Sequence, residues 1–240
     1  MCRNVTAQKY IIKMSKKILF VVTSNGQLGN TGKKTGYYLS EVSHPWDVLV
    51  KAGYEIDFVS PLGGNPPVEG LDLSDLVNKK FWEDKTYHSK LLHSLTPSEV
   101  KANDYCAIFY AGGHGTVWDF PDNKAIAEIA KDIYENNGIV SAVCHGPSGI
   151  FNIKLSDGKY LVDGKKVNSF TDEEEKLVKL DHVVPFLVED KLKEHGALFE
   201  KSEPWQVHVV TDQRLITGQN PQSAKAVGEA IERALHQMHH

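Results

Sequence analysis

The amino-acid sequence predicts an α/β fold in which a doubly wound, mostly parallel sheet is flanked by helices and carries a small helical cap insertion. Three observations favour this prediction. Short continuous apolar runs, such as residues 18–22 and 139–143, have the length and composition of buried parallel strands. Helical patterns separate these runs, and glycine-rich loops follow several of them at the edge where such sheets bind ligands.

The strands are predicted from short apolar runs that are bounded by turn residues. In chain order they cover residues 18–22, 55–60, 105–110, 139–143, 167–170, 207–210 and 215–217. Apolar stripes and capping residues predict helices between them. The helices cover residues 36–51 with an interruption at His44–Pro45, a short stretch opened by the capping box Thr96–Glu99, residues 122–136, parts of 172–194, and a final helix opened by Asn220–Pro221.

Residues 61–103 interrupt this alternation. A Pro/Gly loop opens the segment, and an aromatic, amphipathic stretch without a strand pattern follows it, so we predict an inserted helical cap. No internal repeat is present, and we predict one α/β domain over residues 16–238. Residues 1–15 contain no apolar core of signal-peptide length, and we expect a flexible extension there.

The composition is that of an ordinary globular protein, with 41% hydrophobic and 24% charged residues in 240. A formal net charge of −4 and the absence of long Lys/Arg runs argue against a nucleic-acid partner. No apolar run approaches the roughly 20 residues of a membrane span, so no membrane partner is expected. Three cysteines without close pairing, Cys2, Cys106 and Cys144, favour a reducing compartment. We expect a cytoplasmic protein, also nuclear if the organism is eukaryotic.

Cys144 stands where the predicted strand 139–143 turns sharply into Gly146–Pro147. A sharp turn from a strand into a helix presents a nucleophile to the ligand-binding edge of the sheet, as in the strained elbow of hydrolases. The start of a helix behind the thiol also favours its thiolate form. An inert buried cysteine is the alternative, because free cysteines are commonly buried. Cys106 lies within a predicted strand without a glycine turn or adjacent histidine, and we assign it to core packing.

His145 could move protons near neutral pH, although adjacent side chains usually point apart, so it need not contact the Cys144 sulfur. The N–H groups of Gly112, Gly113 and His145 could form an oxyanion hole. The sequence has no G-x-G-x-x-G after the first strand, no P-loop, no H-E-x-x-H and no paired-cysteine spacing. We therefore predict no metal and no cofactor.

Two carboxylates are candidates for the site, although spacing alone selects neither. Glu41 lies among apolar and aromatic residues of the first helix, where burial would raise its pKa and let it donate a hydrogen bond to a thiolate. Glu175 belongs to the acidic run 173–175, whose simplest interpretation is a solvated helix start.

These motifs together resemble those of the ThiJ/PfpI superfamily. The resemblance rests on Ala111–Gly115 and Ala142–Pro147, supported by Thr35–Pro45, Glu203–Trp205 and Thr217–Ala224, and it extends over nearly the whole chain. More narrowly, the chain resembles the heat-shock-inducible, glutathione-independent glyoxalases called glyoxalase III, some of which are also holding chaperones. The resemblance implies a flavodoxin-like fold, a homodimer, a small dicarbonyl substrate and, as chaperone partners, unfolded clients.

The resemblance implies roles for individual residues. Cys144 would be the nucleophile, His145 its proton-transfer partner, Glu41 the carboxylic acid that touches the sulfur, and Glu175 the acid that orients His145. The N–H groups of Gly113 and His145 would bind the oxyanion. The assignment of Glu175 depends on counting five residues past Phe170, so Glu173 and Glu174 are rivals, and residues 172–182 are less glycine-rich than this branch leads us to expect.

The implied reaction converts methylglyoxal to lactate, and glyoxal to glycolate, as a cofactor-free lyase of the D-lactate dehydratase type. Cys144 would form a hemithioacetal, and His145 would move a proton through an enediol. One alternative is a cysteine peptidase, amidohydrolase or protein deglycase on the same scaffold, because a fold and a nucleophile do not fix the substrate. Another is a non-enzymatic chaperone, or a redox sensor that signals by oxidation of Cys144.

Overall fold

The computed structural model describes residues 15–238. In chain order its strands are β1 (Lys17–Val21), β2 (Tyr37–Tyr38), β3 (Glu55–Val59), β4 (Val68–Glu69), β5 (Ala107–Tyr110), β6 (Ile139–Val143), β7 (Lys166–Val167), β8 (Leu198–Phe199), β9 (Val209–Asp212) and β10 (Leu215–Gly218). Its α-helices are α1 (Leu39–Lys51), α2 (Leu76–Glu83), α3 (Tyr87–Leu92), α4 (Thr116–Asp119), α5 (Lys124–Glu135), α6 (Asp172–Leu177), α7 (Val188–Glu194) and α8 (Ala224–Met238).

The central sheet has six strands in the order β3-β1-β5-β6-β10-β9. Neighbouring strands are parallel except for β9, which runs antiparallel to β10 at one edge. The pairs β2–β4 and β7–β8 form separate two-stranded sheets. The prediction of a doubly wound, mostly parallel sheet flanked by helices is therefore confirmed.

The apolar runs became strands because both faces of the sheet are covered. Ile18 and Phe20 pack into an apolar cluster with α1 and α8, whereas Leu19 and Val21 pack into a second cluster with α5. Every residue of β5 and β6 is buried. A strand that is buried on both sides requires apolar residues at consecutive positions, which is the pattern visible in the sequence.

Strand register brings the loops after β5, β6 and β10 to one edge of the sheet. Tyr110 at the end of β5 pairs with Ala142, and Gly218 at the end of β10 pairs with Val143. Since these strands are parallel, the segments that follow them leave the sheet side by side. Residues 111–115 and Cys144 therefore lie together.

Helix α1 runs through Pro45 without interruption, so the predicted break at His44–Pro45 is wrong. Proline removes one hydrogen bond from a helix interior. Here Pro45 is buried where α8 packs against α1, and a Cβ added to Gly228 of α8 would lie 2.8 Å from the Pro45 Cα. Glycine thus lets the two helices approach closely, and their packing outweighs the lost hydrogen bond.

The segment 61–103 contains α2 and α3, as predicted, and also β4, which was not predicted. Phe81 of α2 packs edge-to-face on Trp46 of α1, with ring centroids 5.1 Å apart. That this segment is an inserted cap, and that residues 16–238 form one domain, stay predictions. The predicted extension lies outside the described residues except for Ser15, and so does Cys2. None of the helices described is long and apolar enough to cross a membrane.

Candidate active site

Cys144 follows β6 in a strained backbone conformation. Its φ is +59°, in the left-handed region that residues with a side chain rarely adopt. Hydrogen bonds on both sides hold it there, because its N–H donates to Gly218 O at 2.9 Å and its carbonyl accepts from Phe170 N at 2.8 Å. A Cβ on Gly146 would lie 2.2 Å from Tyr110 O, so the chain can turn this tightly only with glycine. The predicted elbow at Cys144 is confirmed.

The environment of the Cys144 thiol differs from the prediction. Its side chain is buried, burial raises its pKa well above the ordinary value, and the neighbouring Glu41 raises it further. The expectation that a helix start favours the thiolate is therefore wrong. The segment behind the thiol is a short 3-10 turn, Gly146–Gly149, rather than a regular α-helix. The thiol needs a base that removes its proton when it reacts.

His145 is placed to be that base. Its Nδ1 lies 3.4 Å from the Cys144 sulfur, so these adjacent side chains do meet, contrary to the general tendency. Its Nε2 lies 2.6 Å from Oε2 of Glu175. Burial lowers the pKa of His145, and a positive charge on His114 lowers it further, while Glu175 opposes both effects. The ring is therefore neutral in its buried position, with Nδ1 available to accept a proton.

Glu175 is the acid of the run 173–175 that reaches His145. Burial acts to raise its pKa, but electrostatic interactions and hydrogen bonds with the His145 and His114 rings outweigh that effect and lower it to about 2. An ionised carboxylate only accepts hydrogen bonds, so the Nε2 atom of His145 must carry the proton. Of the two rivals, Glu173 is exposed and Glu174 is hydrogen-bonded elsewhere.

Glu174 is fully buried and holds three segments together. Its Oε2 accepts from the backbone N–H of Thr171 at 3.0 Å, and its Oε1 accepts from the N–H of Trp205 and from Nδ2 of Asn220, each at 2.9 Å. Trp205 has a φ of +64°, which is unusual for a bulky side chain. The bond from Glu174 stabilises that conformation and so fixes the Trp205 loop.

Glu41 lies beneath the thiol on α1 and is fully buried. Its Oε2 accepts the backbone N–H of Gly112 at 2.6 Å, and its Oε1 has no hydrogen-bond partner among the described residues. Burial raises the pKa of Glu41 to about 8, although interactions with Cys144 and the Gly112 N–H partly offset the rise. The predicted upward shift is therefore confirmed, and the carboxyl group is protonated at neutral pH.

The backbone donors of the predicted oxyanion hole divide into two kinds. The Gly112 N–H is occupied by Glu41 and is not available to a ligand. The N–H groups of Gly113 and His145 donate to no other residue in the described part of the chain, and both residues line the same cavity. Thr116 holds their loops together, because its hydroxyl lies 2.9 Å from Gly113 O and 3.1 Å from His145 O.

The cavity above Cys144 has a volume of about 320 Å³. Its lining residues are Tyr38, Glu41, Glu69, Gly113, His114, Cys144, His145, Phe170, Val178, Leu180, Trp205, Pro221 and Gln222. Sequence reasoning assigned no role to Tyr38, Glu69, His114 or Trp205. His114 could have been noticed because it directly follows Gly112–Gly113, whereas nothing in the sequence relates Glu69 to the loops after the central strands.

His114 is the second histidine at Glu175. Its Nε2 lies 2.6 Å from Oε1 of the carboxylate, and its ring centroid is 4.1 Å from that of His145. The nitrogen and oxygen atoms of this trio lie within 4.8 Å of one another. Because both Nε2 atoms and both carboxylate oxygens already bond each other, we interpret the trio as a proton-handling group rather than a metal centre. The absence of a metal or cofactor stays a prediction.

Comparisons with known proteins identify relatives of this chain. Residues 34–234 match the model of the DJ-1/PfpI family. Among curated proteins, glutathione-independent glyoxalase HSP31 of Saccharomyces cerevisiae is 38% identical over 87% of this chain and 93% of its own length. Glyoxalase 3 of Candida albicans is 34% identical over 90% of this chain and 96% of its own length.

Two solved structures are similar to this chain in both fold and sequence. The crystal structure of glyoxalase III from Candida albicans has a TM-score of 0.85 at 32% identity, and it covers 91% of this chain and 96% of its own. The structure of the Rapid Encystment Protein 24 kDa of Francisella tularensis has a TM-score of 0.88 at 40% identity, covering 92% of this chain and 99% of its own.

Proposed function

The chain belongs to the DJ-1/PfpI family, and we propose that it is a glutathione-independent glyoxalase that converts methylglyoxal to lactate and glyoxal to glycolate. Its ligand is a small molecule. The observation that carries the proposal is the chain of contacts from the buried Cys144 thiol through His145 to the ionised Glu175, at the base of a cavity with free backbone donors.

In the first step the sulfur attacks the aldehyde carbon of the substrate. His145 Nδ1, 3.4 Å from the sulfur, takes the thiol proton and returns it to the carbonyl oxygen, which yields a hemithioacetal. The N–H groups of Gly113 and His145 stabilise the negative charge that develops on that oxygen. Glu41, protonated below its pKa of about 8, donates a hydrogen bond to the sulfur through its otherwise unpartnered Oε1.

In the second step a hydrogen moves from the aldehyde carbon to the neighbouring carbon. His145 removes the proton from the first carbon, an enediol forms, and a proton is delivered to the second carbon, which leaves a thioester on Cys144. Water then hydrolyses the thioester and releases the hydroxy acid and the free thiol. Glu175 remains ionised throughout and holds the Nε2 proton of His145, so that Nδ1 stays the reactive nitrogen.

The test is lactate formation from methylglyoxal without glutathione, with wild type beside Cys144→Ala and with Cys106→Ala as the matched control. Cys106 is also buried and burial likewise raises its pKa, to about 12, but its sulfur lies 3.2 Å from Lys17 O and has no hydrogen bond to a histidine among the described residues. We expect lactate from wild type and Cys106→Ala, and none from Cys144→Ala. No turnover by reduced wild type, together with aggregation suppression that survives Cys144→Ala, would favour the chaperone alternative; cleavage of peptide or amide substrates would favour a hydrolase.

The proposal also covers the oligomeric state and the cellular location of the protein. From the family resemblance we expect a cytoplasmic homodimer that can also hold unfolded clients. Light scattering behind size exclusion tests the dimer, and a monomer over the working concentration range would contradict it.

A further inference from the structure

Two histidine rings share one carboxylate at the base of the cavity. His145 and His114 each direct Nε2 to a different oxygen of Glu175 at 2.6 Å, and their ring centroids are 4.1 Å apart. The mechanism above uses only His145. A second imidazole, bonded as tightly to the same buried carboxylate and lining the same cavity, has no role in it.

We propose that His114 is a second catalytic proton carrier, which delivers the proton to the second carbon of the substrate and later takes one from the hydrolytic water. The inference rests on the proposed function. It separates two tasks: His145 serves the carbon bound to sulfur, and His114 serves the carbon beside it.

The hydrogen bonds of His114 leave one nitrogen for this task. Its Nε2 is held by Glu175, and its Nδ1 makes no hydrogen bond to another described residue. Its side chain is 13% exposed, against 1% for His145, and the residue lines the cavity. His145, in contrast, has Nδ1 against the Cys144 sulfur. The two rings therefore offer their reactive nitrogens at different places in one site.

Charge and burial distinguish the roles of the two rings. Glu175 supplies one negative charge, which balances a single positive charge on the two rings. A second positive charge would be repelled by the first, because the ring centroids are only 4.1 Å apart. The more exposed ring carries that charge at the smaller desolvation penalty. We therefore assign the acid role to the more exposed His114 and the base role to the more deeply buried His145.

With these roles, the proton transfers of one catalytic turnover balance. Neutral His145 takes the proton from the first carbon, protonated His114 gives its proton to the second carbon, and the hydroxyl proton passes between the two adjacent oxygens of the enediol. During hydrolysis, neutral His114 takes a proton from the attacking water while the carbon–sulfur bond breaks. His145 gives its proton to the departing sulfur 3.4 Å away. Both rings return to their starting states.

The experiment uses His114→Gln, because the Gln amide reaches the position of Nε2 and can still donate to Glu175 but cannot carry a proton. His114→Phe removes the hydrogen bond as well, and His93→Gln is the control, since His93 is exposed and outside the cavity lining. Methylglyoxal turnover is measured in D₂O, and the hydrogen content at the second carbon of lactate is read by NMR.

We expect His114→Gln and His114→Phe to lose about 100-fold in kcat, and His93→Gln to match wild type. Wild-type lactate should carry deuterium at the second carbon, because His114 is recharged from water. Lactate from His114→Gln should retain hydrogen there, because His145 returns the proton that it removed.

Three results would overturn the inference while leaving the glyoxalase proposal intact: wild-type kcat in His114→Gln, rescue by Gln of a defect seen in Phe, or lost rate with unchanged hydrogen content. Failure of wild type to form lactate would instead remove the proposed function, and this inference with it.

Discussion

Glu174 and Glu175 are adjacent, both are buried, and their surroundings differ completely. Glu174 accepts hydrogen bonds from backbone and amide N–H groups, which do not titrate in the physiological range. Glu175 accepts from two imidazole rings, which do. Burial of a carboxylate therefore does not by itself indicate its function. The chemistry of its donors separates a carboxylate that holds the chain from one that takes part in proton transfer.

The two carboxylates nevertheless act on the same site. Glu174 fixes the Trp205 loop, and the Trp205 ring lies 5.7 Å from that of Phe170, which in turn packs 4.4 Å from the His145 ring. Glu174 thus supports the wall of the site whose base Glu175 controls. Substitution of each should damage a different property.

Glu175→Gln should have the largest effect on activity. The neutral amide cannot accept from both imidazoles, and its NH₂ group faces one Nε2–H, which favours the wrong tautomer of that ring. We expect kcat for methylglyoxal to fall about 10³-fold while the fold is retained. Steady-state kinetics and circular dichroism measure the two properties.

The same variant has a signature in stability. The pKa of Glu175 is lowered to about 2 from an ordinary 4.5, so ionisation stabilises the folded wild type above about pH 4.5, and this contribution is lost as pH falls towards 2. Glu175→Gln should lack that part of the acid dependence. Wild-type kcat, or an unchanged acid dependence of unfolding, would contradict the assigned role.

Glu174→Gln should reduce stability and leave activity nearly unchanged. It leaves several buried N–H groups facing an amide that can satisfy only some of them, and we expect a loss of about 3 kcal/mol in the free energy of unfolding. Urea denaturation measures this loss. The folded fraction should keep a kcat near that of wild type, and a large loss of kcat with unchanged stability would contradict the structural role of Glu174.

Of the three substitutions, Glu41→Gln should have the smallest effect when each effect is expressed as a free energy. The amide can still donate to the sulfur, but its N–H is a weaker donor than the carboxylic acid O–H, so we expect a loss of only about tenfold in kcat. Because Glu41 is neutral only below its pKa of about 8, the wild-type rate should fall as pH rises through 8, since the ionised carboxylate repels the thiolate. The variant should lack this decline. A wild-type rate that is flat from pH 5 to 9 would contradict the role of Glu41.

Patterns of apolar residues were sufficient to predict the central strands. The prediction for β6, residues 139–143, matches the structure because a strand buried on both faces needs a continuous apolar run. The strand predicted at 167–170 is shorter, Lys166–Val167, because the Asn168 N–H bonds the Thr217 hydroxyl instead of continuing the pairing. Side-chain competition of this kind has no simple pattern in the sequence.

The site was predictable where backbone geometry determines it, and less so where electrostatics does. Gly146–Pro147 after Cys144 indicated the tight turn, which the φ of +59° at Cys144 confirms. The direction of the thiol pKa shift was not predictable, because it depends on burial and on Glu41, which is distant in sequence. The sequence does not indicate a role for His114, because its partner Glu175 is 61 residues away.

Cys144, supported by His145 and Glu175, should carry the substrate as a covalent adduct during turnover. Rapid quenching during methylglyoxal turnover, followed by peptide mass spectrometry, tests it most directly, with Cys106 as the internal reference. We expect an adduct of substrate mass on the Cys144 peptide that forms and decays within one turnover, and none on the Cys106 peptide. Lactate formation without any adduct on Cys144, or with an adduct on Cys106 in its place, would contradict it.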